Sequence, residues 1–148
     1  MSFAIDVNVL LYASDQGSEL HAPAARFLNG CVRGNETFCL GWPTLMGYLR
    51  IATHPAVFAQ PLAHEAAAGN IAALLAAPHV RVLSEEEGFW DVYQDVTRSV
   101  PTRGNLVPDA HLAALLRQHG VRTLYTRDRD FRKFDFLNVR DPFEGMER

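Results

Sequence analysis

The chain has 148 residues, 48% of them hydrophobic and 21% charged, with a formal charge of −3. One domain of that size buries roughly two-thirds of its unfolded surface, and the apolar fraction and small net charge exclude a disordered chain. No run approaches the about 18 uninterrupted apolar residues of a membrane span, and the stretch from Val7 to Ala13 lacks the basic flank of a secretory leader.

In chain order, Phe3-Ala4-Ile5 reads as a buried first strand, and Val7 to Ala13, after Asp6, has the length of two helical turns. A helix is expected from Ser18 to Arg33, a turn at Gly34-Asn35, and a buried strand over Thr37 to Leu40. Pro43 suits the first turn of a helix that runs to about Thr53 and ends at His54-Pro55. Alanine density predicts a helix over Ala63 to Ala76, and Val80 to Leu83 a strand. Ser84 with Glu87 three residues on has the form of a capping box opening a helix through Val96. A loop with Pro101, Gly104 and Asn105 leads to a helix over Val107 to His119, stopped by Gly120. Strands are expected over Val121 to Tyr125 and Asn138 to Arg140.

Short apolar strands alternating with helices predict an α/β fold with a mostly parallel sheet and helices on both faces. No linker, repeat or low-complexity block divides it, so residues 1–148 are expected to form a single domain. Cys31 and Cys39 form neither a CxxC nor a Cys/His cluster, which points to a reduced, cytoplasmic protein without structural zinc. Lys133 is the single lysine among fourteen basic residues. Arginine's fork suits phosphate recognition, and a GC-rich genome gives the same bias.

In parallel sheets the working residues lie beyond the carboxyl ends of the strands. Asp6 follows the first strand, and Asp128 and Asp130 follow the strand ending at Tyr125. Asp109 opens a helix and shares its face with Leu112, Ala113 and Leu116, so its carboxylate points toward the sheet. Singly, these acids have structural explanations: Asp6 and Asp128 as caps, Asp109 as a partner of the helix dipole. Together they would repel unless a cation neutralised them, and Mg2+ or Mn2+ suits an all-oxygen ligand set. Such a site can activate water for in-line phosphoryl displacement.

The chain resembles the PIN-domain ribonucleases, specifically the VapC-type toxins of bacterial toxin–antitoxin pairs. Four ordered blocks carry the resemblance: Phe3 to Ala13; Trp42-Pro43 through Leu49-Arg50 to His54-Pro55; Asn105 to Ala114; and Tyr125 to Phe131. It implies a three-layer α/β/α fold and an endoribonuclease that cuts RNA with divalent metal. It also implies inhibition by a cognate VapB-like antitoxin and a homodimer. On this resemblance Asp6, Asp109 and Asp128 are the catalytic metal-binding acids, and Asp130 is a further metal position. Asn8 and Thr126 are polar positions that orient carboxylates or water. Gly47 stands where family members commonly carry a glutamate, which puts a second fully liganded metal in question.

Arg127 and Arg129 flank Asp128 and, with Arg50, are candidate contacts to RNA phosphates; a simple ion-pair role is the alternative. Asp91, Asp95 and Glu65 read as solvated surface acids, and His111 as a structural residue or one supporting the acids. Trp42, Phe58, Phe89 and Trp90 are expected in the core or at a dimer interface. Two other functions compete with the nuclease. One is a PIN-like module that binds RNA or antitoxin and has lost catalysis through Gly47. The other is an aspartyl-phosphate phosphatase of the haloacid-dehalogenase type, which needs an aspartate two residues after Asp6, where this chain has Asn8.

Overall fold

The computed structural model describes residues 2–144. Along the chain run β1 (Ser2–Ile5), α1 (Val7–Ser14), α2 (His21–Arg33), β2 (Thr37–Gly41), α3 (Trp42–Ala52) and α4 (His64–Leu75). Then follow β3 (Val80–Leu83), α5 (Phe89–Thr97), α6 (Leu106–Gln118), β4 (Thr123–Tyr125), a 3-10 turn over Arg129–Lys133, and β5 (Asn138–Arg140). The five strands form one sheet in the order β3-β2-β1-β4-β5, and every pairing is parallel.

Alternation along the strands splits the apolar side chains between two faces. Ile5, Phe38 and Leu40 pack with Val9, Leu10, Ala24, Leu45 and Ala67 from α1 to α4. Ala4, Cys39 and Leu124 pack on the opposite side with Val96 of α5 and Leu112 to Leu116 of α6. The result is the expected three-layer α/β/α arrangement, its sheet parallel throughout. Cys31 and Cys39 are free thiols. No helix among the described residues is long and apolar enough to cross a membrane.

The chain starts at β1, builds outward through β2 and β3, then returns to the other side of β1 for β4 and β5. The direction of winding therefore reverses between β1 and β4. In open parallel sheets this reversal is where the flanking connections diverge beyond the carboxyl ends and ligands bind. Asp6 and Thr126 are the first residues past these two strands, and the Asp6 N–H donates to the Tyr125 carbonyl at 3.0 Å.

Several boundaries differ from the sequence expectation, each for a local reason. The helix expected from Ser18 begins at His21, because Ser18 forms a turn: its hydroxyl and carbonyl accept the N–H groups of Leu20 and His21. The capping box at Ser84 does not form. Helix α5 starts at Phe89 after Gly88, whose φ of 83° suits glycine, with no side-chain cap. Tertiary bonds hold the 84–88 segment instead: Gln118 accepts from the Glu86 N–H and donates to the Glu86 and Glu87 carbonyls, and His119 contacts the Ser84 carbonyl. The strand expected from Val121 starts at Thr123, since the Val121 N–H closes the end of α6 on the Leu116 carbonyl. Phe58 is buried and Phe89 packs at the edge of the core, but Trp42 and Trp90 are 44% and 64% exposed.

Candidate active site

Asp6 caps α1: its Oδ1 accepts the Val7 N–H at 2.7 Å. The capping role expected of an isolated acid is thus real, but it engages only one oxygen. Oδ2 accepts the Thr126 hydroxyl at 2.7 Å and the Asn8 amide at 3.2 Å. Thr126, only 2% exposed, is the centre of this network. Its Oγ1 donates to Asp6 and accepts from Asn8 Nδ2 at 2.9 Å and from the Asp128 N–H at 3.0 Å. All of the hydroxyl's capacity, one donor and two lone pairs, is used. The Asn8 Oδ1 also accepts the Arg127 N–H at 3.4 Å, so α1 and the segment after β4 are tied at both ends of one side chain.

Asp128 Oδ1 accepts the Asp130 N–H at 2.9 Å and so caps the 3-10 turn, which aims both carboxylates to one side. Helix α6 runs back across the sheet, and its first turn brings Asp109 to the same edge. Carboxylate oxygens of Asp109, Asp128 and Asp130 lie within 4.8 Å of one another. Oxygens bound to one hard cation lie at most about twice a metal–oxygen distance apart, ~4–5 Å, so this trio has the spacing of a shared ion. Asp6 stands outside the trio but beside it, since its charge is felt at Asp109.

The electrostatics agree with that geometry. Partial burial, then the negative charges of Asp128, Asp6 and Asp130, push the Asp109 carboxyl up to about 7. Burial also raises Asp6, opposed by its bonds from Thr126 and Val7 and reinforced by the charge of Asp128. Acids driven toward their neutral forms by burial and then by mutual repulsion form a site whose charge a divalent cation would relieve. The donor set, all oxygen and all anionic, fits Mg2+ or Mn2+.

The flanking residues fall into place around the trio. Lys133 Nζ lies 3.5 Å from Asp130, and Arg127 Nε lies 3.4 Å from Asp141. Arg129 and Arg132 are exposed and, with Arg127, line a cavity of about 100 Å³ beside Asp128. Arg50 is exposed on the last turn of α3. Gly47 faces Val7: among the described residues a Cβ placed on it would meet only Val7 Cγ2, at 3.9 Å, so this helix position has room for a methyl group. His111 pairs with Glu85 and sets its ring edge against Phe89, away from the acids. Asp91, Asp95 and Glu65 are exposed, as expected. A larger cavity of about 570 Å³ lies between the first four helices, floored by the hydrogen-bonded Ser14, Tyr48 and Asn70, and contains none of the acids. Sequence reasoning missed Asp141. The signal was available, because Asp141 directly follows a strand just as Asp6 does.

The PIN-domain family model matches residues 3–137. Ribonuclease VapC48 of Mycobacterium tuberculosis is 47% identical over 145 residues, covering 98% of this chain and all of the relative. Ribonuclease VapC37 of the same species is 37% identical over 138 residues, covering 93% of this chain and 95% of the relative. Among solved structures, the sarcin–ricin-loop-cleaving toxin VapC20 of M. tuberculosis aligns with a TM-score of 0.69 at 19% identity, covering 94% of this chain and 99% of that one. VapBC2 of Rickettsia felis, solved bound to a DNA fragment from its promoter, aligns at 0.67 and 14% identity, covering 94% and 97%.

Proposed function

Because the chain belongs to the PIN-domain family, in its VapC branch, we propose that it is a VapC-type toxin. In this reading it is a cytoplasmic endoribonuclease that hydrolyses RNA phosphodiester bonds with Mg2+, or Mn2+ in its place. Residues 1–148 make up a single PIN domain. A VapB-like antitoxin holds the toxin inactive, a partnership supported by the VapBC assemblies among its structural neighbours.

The observation that carries the reading is the convergence of Asp109, Asp128 and Asp130 beside Asp6, at the point where the sheet reverses its winding. Asp109, Asp128 and Asp130 hold the ion, and Asp6, expected from the sequence as a further metal ligand, borders it with its oxygens engaged by Val7, Thr126 and Asn8. A divalent ion bound there supplies charge neutralisation for an approaching phosphate and lowers the pKa of water. Thr126 and Asn8 keep the Asp6 carboxylate fixed and tie it to the loop that carries Asp128. Arg127 and Arg129, on either side of Asp128, and Arg50 on α3 supply positive charge for RNA phosphates. The homodimer is supported by Trp42 and Met46, one helical turn apart on α3 and 44% and 56% exposed. A non-catalytic module is not favoured, since relatives that match nearly the whole chain are named ribonucleases.

The test is Asp6→Asn. The variant keeps an oxygen that can accept from Val7, so it should fold, yet neither cleave RNA nor arrest growth on expression. Cleavage by a pure Asp6→Asn preparation at the wild-type rate would remove Asp6 from the mechanism.

A further inference from the structure

The register of the sheet brings one more carboxylate to the working edge. Tyr125 of β4 is level with Arg140 of β5, and the Thr126 N–H donates to the Arg140 carbonyl at 2.9 Å. The next residues, Thr126 and Asp141, therefore leave the sheet side by side. Asp141 is not one of the three acids that face each other. Its Oδ1 accepts the Phe143 N–H at 2.8 Å, and its Oδ2 faces Arg127 Nε at 3.4 Å. Phe143 is buried edge-on against Tyr12 of α1, with ring centroids 6.1 Å apart, so the turn that presents Asp141 is anchored to the body of the domain.

Arg127 is held at both ends by this arrangement. Its backbone N–H bonds to Asn8, which bonds to Asp6, and its side chain is turned toward Asp141. Among the described residues, Asp141 meets the guanidinium through Nε, and the two terminal amino groups have no hydrogen-bond partner. Arg127 lines the cavity of about 100 Å³ together with Asp128, Arg129, Arg132, Asp141 and Glu144. An ion pair whose partners are 42% and 26% exposed adds little to folding. Its effect lies in which rotamer Arg127 adopts.

Building on the endoribonuclease reading, we propose that Asp141 is a positioning residue: it holds the Arg127 guanidinium at the rim of the acid site, with its terminal amino groups presented to an RNA phosphate neighbouring the scissile one. Guanidinium donors match phosphate oxygens in paired geometry. An arginine already oriented avoids the cost of freezing a long side chain on binding, roughly a factor of 2–10 in affinity.

Asp141→Asn gives a test whose sign separates positioning from bulk charge. Removing a negative charge near an anionic ligand should tighten RNA binding if only the net field matters. Positioning predicts weaker binding. Asparagine keeps an oxygen for the Phe143 N–H, so the turn survives. Steady-state cleavage in Mg2+ is measured on a randomised single-stranded RNA 20-mer carrying a fluorophore and a quencher, for wild type, Asp141→Asn, Arg127→Gln and the double variant, with Tm for each.

The expected result is a KM raised about 3- to 10-fold by Asp141→Asn. It should come with kcat within about twofold, Tm within about 2 °C, and no further loss when Asp141→Asn is added to Arg127→Gln. A KM that is unchanged or lowered in Asp141→Asn, or equal losses in both backgrounds, overturns the proposal while leaving a cleaving wild type to support the nuclease reading. A wild type that cuts neither this pool nor total RNA in Mg2+ or Mn2+ overturns that reading and the role of Asp141 with it.

Discussion

Thr126→Val tests whether the acid site is held together by one buried hydroxyl. Valine matches threonine in shape, so packing at a position only 2% exposed is kept and the change is confined to Oγ1. Three hydrogen bonds disappear: the donation to Asp6 at 2.7 Å and the acceptances from Asn8 at 2.9 Å and Asp128 at 3.0 Å. The bond to ionised Asp6 is charge-assisted, worth about 1.5–3 kcal/mol. The other two donors are half-buried, where water replaces part of what is lost, adding about 1 kcal/mol. The expected destabilisation is therefore about 2.5–4 kcal/mol at pH 8 in chelator. Because the Thr126 bond lowers the Asp6 pKa, its loss penalises the ionised carboxylate most, and the penalty should shrink to about 2 kcal/mol at pH 4. Urea unfolding at both pH values measures this directly. A loss below about 0.5 kcal/mol at pH 8, or one equal at the two pH values, refutes the assignment of Thr126 as the hub.

Three further outcomes follow from the same geometry. Asp109, raised from 3.8 to about 7, binds a proton in the folded protein that the unfolded chain has released between those values, so metal-free stability falls as pH rises through that window. Mg2+ or Mn2+ should therefore raise Tm more at pH 8 than at pH 5.5, as read by differential scanning fluorimetry; equal shifts contradict the cation site. Gly47→Ala places a methyl in open contact with Val7 inside a helix and should stabilise the fold by about 0.5–1 kcal/mol in urea unfolding. Met46→Glu puts a charge on the exposed Trp42–Met46 stripe of α3 and should shift the proposed homodimer toward monomer in sedimentation; a wild type that sediments as a monomer, or a dimer left unchanged by Met46→Glu, contradicts that interface.

Asp6 and Asp128 were legible because each is announced locally by a short apolar run that ends just before it, in the order that a parallel sheet requires; Asp141 has the same placement after β5 and was missed. Asp109 was legible from helical spacing, since Leu112, Ala113 and Leu116 define the buried side of α6. Features that depend on which strands become neighbours were not legible. Thr126 was recognisable as a polar position, but its three partners come from two segments about 120 residues apart in sequence. Asp141 reaches Arg127 only because β5 pairs with β4. The failed capping box at Ser84 has the same origin. Gln118 and His119, from the far end of α6, take over the backbone groups that local sequence assigned to a cap.

In the proposed function Asp109, Asp128 and Asp130, beside Asp6, cut RNA with a divalent ion. That function is tested most directly by mapping cleavage of total RNA with purified wild type and Asp128→Asn, each in Mg2+ and in chelator. Discrete new RNA ends are expected only with wild type in Mg2+. Equal cleavage in chelator, or by Asp128→Asn, would contradict that function.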